Sequence, residues 1–263
     1  MPTLSVLCLG DVVGNPGREA LKRGLKPLQE QFQPDFTVVN VENSAGGFGI
    51  TLKIYDELCS LPIDLFTSGN HIFDKKEAVA QFDKFELLVR PYNWPSNPLG
   101  KGWLSLEKKG KKLAVLQLIG RAFMPAYDCP FKAADSVLET IKAQTPCIVV
   151  DFHAEATSEK QALGWYLDGR VSCVYGTHTH VMTADDRLLE KGTAYISDIG
   201  MTGATNGILG MEKDPIIGKF LNQMPTHFEP VKHAKSALSG IFLTLDQESG
   251  KALSIERIQR DIC

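Results

Sequence analysis

Residues 147–180 read CIVVDFHAEATSEKQALGWYLDGRVSCVYGTHTH. Cys147 to Phe152 is an apolar, β-branched run of the length of a buried strand, Ser158 to Leu167 has helical period, and Val171 to Tyr175 is a second buried-strand run. Strand, helix and strand in this order predict a parallel pair in an α/β fold. Each strand then hands over to histidine: His153 after the first, His178 and His180 after the second. In a parallel sheet such positions share one edge, the usual place for a site.

The same alternation extends in both directions. Leu4 to Leu9 reads as a strand, Asn15-Pro16 opens an amphipathic helix through about Phe32, and Phe36 to Val41 is the next strand. A helix over Thr51 to Leu61, a short strand over Asp64 to Thr67 and a helix over Lys75 to Phe82 follow. Trp103 to Leu106 and Lys112 to Ile119 flank the turn-like Lys108-Lys109-Gly110-Lys111 and predict a hairpin, with a helix after it over Ala133 to Ala143. The tail, with runs at Ala194 to Ile196, Ala237 to Leu245 and Ala252 to Ile258, reads as largely β. No Ser/Gly-rich linker or fixed-period repeat interrupts the pattern, so a single domain over 1–263 is expected, with two sheets packed between helices.

Composition narrows the function classes. With 263 residues, 43% of them hydrophobic and 22% charged, the chain has material for a large core, which excludes a disulfide-stapled miniprotein. No segment has the roughly 18 uninterrupted apolar residues of a bilayer span, so no membrane partner is expected. The formal net charge of −3 gives no basic field, so RNA as a partner is not indicated by charge beyond what a local patch would allow. The opening MPTLSVLCLGDVVG lacks a basic region ahead of an apolar stretch, and a cytoplasmic location is expected. The six cysteines (Cys8, Cys59, Cys129, Cys147, Cys173, Cys263) form no C-x-x-C pair and read as buried thiols in a reducing compartment.

The metal-capable side chains each follow an apolar run: Asp11 after the first strand, Glu42 and Asn43 after the second, Asn70 and His71 after the third, then His153, His178 and His180. Singly, each has an ordinary explanation. Asp11 ahead of Gly14-Asn15-Pro16 suits a turn or helix cap, Asn70 suits a cap, and His71 or His153 suits a hydrogen-bonded structural imidazole. Together they are expected to converge. In Gly176-Thr177-His178-Thr179-His180, two imidazoles two apart in an extended segment would project to one side and address neighbouring metals. Imidazole, carboxylate and amide oxygen without thiolate suit Fe, Mn, Zn or Co. Asp151, Glu155, Asp168 and Asp185 read as supporting or surface carboxylates, and Gly46-Gly47-Phe48-Gly49 as a flexible loop near the site.

No phosphate loop, dinucleotide fingerprint, nucleophile elbow or H-E-x-x-H helix is present. A mononuclear iron oxygenase needs two His and one carboxylate and would leave Asn70, His71 and a further His without a role. A regulatory nucleotide-binding protein with little turnover is the alternative from a different class.

The spaced series GD, EN, GNH, a lone His and GTHTH resembles the calcineurin-like metallophosphoesterases, and within them the YmdB family of bacterial phosphodiesterases. The likeness spans nearly the whole chain, through GDVVGNPGRE, VNVENSAGGFG, TSGNHIFDKKE, DFHAEATSEKQALGWYLDGR, GTHTHVMTAD and SDIGMTG. It implies a four-layer αββα sandwich with two divalent or mixed-valence metal ions, iron first and Mn2+ second, and hydrolysis of a small phosphodiester such as a 2′,3′-cyclic nucleotide. By the same resemblance Asp11 and His180 hold one metal, Asn70, His153 and His178 the other, and Glu42 bridges them. His71 is the acid, protonating the leaving oxygen after in-line attack by a hydroxide shared between ions roughly 3.5–4 Å apart. Val13 stands where a D-x-H motif supplies another ligand and Glu42 where an Asp bridges; Asn43 would fill the vacancy. A bacterial protein of this size is also expected to be a homo-oligomer.

Overall fold

The computed structural model describes residues 2–96 and 98–262. In chain order its elements are β1 (Thr3–Leu9), α1 (Gly14–Phe32), β2 (Phe36–Asn40), α2 (Leu52–Cys59), β3 (Leu65–Thr67), α3 (Lys76–Val79), β4 (Trp103–Lys108), β5 (Lys111–Ile119) and α4 (Pro130–Lys142). There follow β6 (Ile148–His153), α5 (Thr157–Tyr166), β7 (Cys173–Thr177), β8 (Arg187–Leu188), β9 (Ala194–Ile196), β10 (Gly203–Ala204), α6 (Lys213–Asn222), β11 (Ser236–Asp246) and β12 (Ala252–Ile262).

These strands form two mixed sheets. One runs β10-β11-β1-β2-β3 with β12 also on β11; the other runs β4-β5-β6-β7-β9-β8. The first sheet contains parallel β1, β2 and β3, and the second contains parallel β5, β6, β7 and β9 with β4 antiparallel to β5. Alternation along each strand sorts the side chains into layers. Leu4, Val6 and Cys8 of β1 meet Val115, Val149 and Cys173 of the other sheet in the central core. Leu7 and Leu9 turn outward onto Leu21 and Leu25 of α1, and Val150 and Phe152 turn outward onto Leu138 of α4 and Leu163 of α5. Helices therefore cover the outer face of each sheet, giving the four-layer αββα arrangement. Parallel strands buried on both faces need apolar residues at nearly every position, which is why they read as continuous runs.

Several expectations need correction. Only Lys76–Val79 of the expected helix over Lys75 to Phe82 is α-helical, and a 3-10 turn covers Phe82–Lys84. No side chain caps that helix, and Phe82 is drawn into the core. β7 starts and ends two residues later than Val171 to Tyr175, so Thr177 pairs with His153. The tail holds α6 as well as strands; Ile216 is its only buried residue, so it lacks the apolar stripe by which a helix is read. Cys8, Cys147 and Cys173 are buried thiols, but Cys59 at the end of α2 is exposed and Cys129 ahead of α4 is partly so. Cys263 lies outside the described residues. Among the described residues no helix is long and apolar enough to cross a membrane.

Candidate metal centre

The parallel strands of both sheets end at one place, and the loops leaving them carry the polar residues. Asp11 leaves β1, Glu42 and Asn43 leave β2, Asn70 and His71 leave β3, His153 ends β6, and His178 and His180 follow β7. The segment 197–203 lies across these ends. Ile199 N–H donates to the carbonyl of Gly176, and Thr202 N–H donates to that of Asp11. A Cβ on Gly10 would lie 1.7 Å from the Gly200 carbonyl oxygen and one on Gly176 1.8 Å from that of Ser197, so both glycines are required by close backbone approach. The convergence thus draws on two sheets, not on one sheet edge.

His153 Nε2 is the hub. It lies 2.9 Å from Asn70 Oδ1, 3.0 Å from His178 Nδ1 and 3.1 Å from Glu42 Oε1. One ring N–H cannot serve three acceptors, whereas a cation takes lone pairs from all of them. Asp11 Oδ2 accepts from the His178 backbone N–H at 2.9 Å and lies 3.5 Å from His180 Nε2. Its Oδ1 is buried without a hydrogen-bond partner among the described residues, which a carboxylate tolerates poorly unless it faces a cation. These oxygen and nitrogen donors, without thiolate, fit a divalent transition metal. Glu42, His153 and His178 each offer a ligand atom, the three lying within 4.8 Å of one another.

The ionisable groups of the centre perturb one another strongly. Burial drives the Asp11 carboxyl well above its usual range against the pull of His153, and the charge of Glu42 adds to the rise. Burial would also raise Glu42, but the His153 charge and hydrogen bond outweigh it and hold Glu42 below the usual carboxylate range. Reciprocally, Glu42 and Asp11 raise His153 against its own burial. Burial, reinforced by His153, depresses His178 to about 3, and burial lowers His180, so both imidazoles are neutral and keep a lone pair.

Two expected placements differ. His178 and His180 are not on an extended segment; their φ angles are 95° and 65°, in the left-handed region. Their side chains therefore diverge, His178 toward His153 and His180 toward Asp11 and Asn43. Asn43 directs its amide nitrogen at Glu42 Oε1 (3.2 Å) and His180 Nε2 (3.1 Å). In this orientation the amide nitrogen, which has no lone pair for a cation, holds Glu42, and a half-turn of the amide would put Oδ1 in its place.

His71 lies at the rim. Its Nδ1 is 2.7 Å from Asp74 Oδ2 and its backbone N–H donates to Glu42 Oε2 at 3.3 Å. Asp74 was missed in the sequence, although it stands three residues after His71 in GNHIFD. Gly47 of the glycine-rich loop lines the cavity here, and the Phe48 ring meets that of His71 edge-on.

Of the carboxylates expected to support the site, Asp151 lies beneath it. Fully buried, it accepts from Thr67 Oγ1 (2.5 Å), Asn40 Nδ2 (3.1 Å) and Thr177 Oγ1 (2.7 Å), and Thr177 Oγ1 is 2.9 Å from His153 Nδ1. Burial pushes Asp151 up to about 6 despite these donors. A lone Asp within the apolar run CIVVDFH was the available signal. Glu155 approaches His178 Nε2 at 3.2 Å, whereas Asp168 accepts from Lys191 N–H and Asp185 from Ser197 N–H. No sequence pattern pointed to Lys160, whose buried ammonium donates to Asp198 Oδ2 while the same oxygen accepts from Thr179 N–H and Oγ1.

The YmdB-like protein family profile matches residues 7–258. This chain belongs to the YmdB-like family. It is 49% identical over 255 residues to the 2′,3′-cyclic-nucleotide 2′-phosphodiesterase of Bacillus subtilis, covering 97% of this chain and 96% of that one. Among solved structures, a Mycoplasma pneumoniae phosphatase superposes with a TM-score of 0.93 at 34% identity, over 99% of this chain and 94% of its own. The Haemophilus influenzae NAD nucleotidase shares the fold alone, with a TM-score of 0.61 at 11% identity over 99% of this chain and 56% of its own.

Proposed function

We propose that this protein is a metal-dependent phosphodiesterase acting on small phosphodiesters, with 2′,3′-cyclic nucleotides as the substrate class. The observation that carries the reading is the convergence of nitrogen and oxygen donors from both sheets on His153 and Asp11, in a chain close to a cyclic-nucleotide phosphodiesterase. In this reading Asp11 and His180 would hold one divalent ion, Asn70, His153 and His178 would hold a second, and Glu42 would serve both. Iron or manganese suits the donor set. Bound ions would neutralise the phosphoryl oxygens and lower the pKa of water in the site.

The chain's own residues then have distinct tasks. The Thr177 hydroxyl meets His153 Nδ1 and fixes the ring with Nε2 turned to Asn70 and Glu42. His71 supplies a proton to the leaving alkoxide. Its Nδ1 is tied to Asp74, which leaves Nε2 for the substrate, and 38% exposure of its side chain lets solvent restore the proton. A cytoplasmic homo-oligomer is part of the same proposal; Ile217, Leu221 and Met224, exposed on and just after α6, support self-association. The net charge of −3 does not support RNA as a partner.

The test pairs metal analysis of the purified protein with a turnover screen over phosphomonoesters, bis(p-nitrophenyl) phosphate and 2′,3′-cyclic AMP with added Mn2+. Two ions per chain and cleavage of the diesters are expected. A single ion, or binding of the cyclic nucleotide without turnover, would overturn the reading.

A further inference from the structure

The cavity of about 410 Å3 that opens from the centre has a lining of two kinds. Glu42, Asn43, His71, His178 and His180 supply the polar groups at its inner end. The remainder is largely apolar, with Ile208, Leu209, Met211 and Phe228 from loops and Ile216 and Phe220 from α6. Ile216, Lys219, Phe220 and Gln223 all face this space, and their spacing of i, i+3, i+4 and i+7 makes them one face of the helix running into its C-cap. Packing does not explain that face, since Ile216 alone is buried and Phe220 is 78% exposed.

A phosphoryl group needs only the polar part of this cavity. An apolar wall with two phenyl rings beside it suits a flat ring system joined to the phosphate by a short linker. The volume lies within the range of roughly 300–1,000 Å3 usual for small-molecule sites. Aromatic side chains hold nucleobases by stacking, which tolerates any base because every base has a π face. Lys219 Nζ sits over the Phe228 ring, 5.1 Å from its centroid, so a base stacking there takes the opposite face or displaces an ammonium that can donate to its ring nitrogens and carbonyls, and Gln223 adds an amide.

We propose that this cavity is a nucleobase subsite, in which the base of a cyclic nucleotide stacks on Phe228 and Phe220 while Lys219 and Gln223 meet its polar edge. The inference rests on the phosphodiesterase reading and adds to it the part of the substrate recognised apart from the phosphate.

Three probes test it on the metal-loaded protein: 2′,3′-cyclic AMP, the cyclic phosphate of 1,2-propanediol, which has no base, and adenosine, which has no phosphate. The expected result is a kcat/KM at least about tenfold higher for cyclic AMP than for the diol phosphate, carried by KM, with Phe228→Ala losing most of that preference and Phe228→Trp retaining it. Equal kcat/KM for the two substrates, or a preference unchanged in Phe228→Ala, would overturn the subsite and leave the phosphodiesterase reading standing. If neither substrate is cleaved, that reading fails and calorimetric binding of adenosine decides the subsite. Saturable binding weakened about tenfold by Phe228→Ala upholds it. Absence of binding overturns it, in favour of a contact between copies if Phe220→Ala also lowers the mass in solution.

Discussion

His153 Nε2 and His178 Nδ1 face each other at 3.0 Å, and each is also within reach of a carboxylate, Glu42 for the first and Glu155 for the second ring. Two imidazoles held this way are competent to share a cation, because no arrangement of ring protons satisfies both nitrogens and the oxygens around them.

Removal of one ring therefore acts on metal before it acts on fold. His178→Ala is expected to deplete metal while the chain stays folded, since His178 is a partly exposed loop residue. Elemental analysis beside circular dichroism checks this. Chelation of the wild type should lower its melting temperature and Mn2+ should restore it, because a ligand that binds only the folded state stabilises it. A His178→Ala protein with full metal content would remove this residue from the ligand set.

His71 is expected to behave in the opposite way. Its ring meets Asp74, and its backbone N–H, which a substitution of the side chain leaves in place, donates to the Glu42 carboxylate. His71→Ala should lower kcat by roughly 10²–10⁴ with metal content intact, the range for loss of a general acid. Asp74→Asn should lower kcat less, since it leaves the imidazole in place without its charged partner. Steady-state kinetics on 2′,3′-cyclic AMP at matched metal loading provide the measurement; full activity in His71→Ala would withdraw the proton-donor role.

The strand ends of the centre were readable because buried parallel strands are apolar throughout, so each polar residue marks a boundary. Asp11, Glu42, Asn70 and His153 were placed in this way. What escaped depends on geometry that alternation does not encode. The left-handed backbone at His178 and His180 goes with contacts distant in sequence, Asp11 accepting from His178 N–H and Asp198 from Thr179 N–H. Lys160 was hidden within an ordinary helical pattern, and α6 was hidden because its apolar residues face the cavity and solvent rather than the core. The resemblance to a family supplied roles for the residues, and the coordinates supplied the companions of His71, His153 and His180.

The seam between the sheets at the end away from the metal centre carries an acid-sensitive tie. Asp35 accepts from Ser5 N–H at 2.8 Å, from Ser5 Oγ at 3.1 Å and from Lys111 Nζ at 2.6 Å, joining the first sheet to the hairpin of the second. Burial opposes ionisation of Asp35, but Lys111 and Ser5 outweigh it and lower its pKa below the ordinary 3.8. A depressed carboxylate stabilises the fold fully above its unfolded pKa, and that contribution is lost as pH falls through the folded value. Asp35→Asn should therefore cost about 1 kcal/mol at pH 7 and progressively less below pH 4, a charged hydrogen bond being worth about that much at a half-exposed site. Urea unfolding at pH 7 and pH 3 makes the comparison; an equal cost at both would sink the argument.

Lys160 and Asp198 pose a sharper test of how the histidine loop is held. Their ion pair spans 2.8 Å with side chains only 3% and 1% exposed, and Asp198 also accepts from Thr179, which stands between His178 and His180. Lys160→Met leaves a buried carboxylate without its counter-charge, for which a loss of about 3 kcal/mol is expected. Because Asp198 would then relax toward solvent, Thr179 and the left-handed turns beside it should shift and metal retention should fall. The double variant Lys160→Met, Asp198→Asn removes the charge along with its partner and should recover part of the stability but not the metal affinity, since the amide is a weaker acceptor for Thr179. Denaturant unfolding and metal titration on the two variants separate these effects. A single variant as stable as the wild type would mean that water compensates Asp198, and a double variant with wild-type affinity would mean that the loop holds itself.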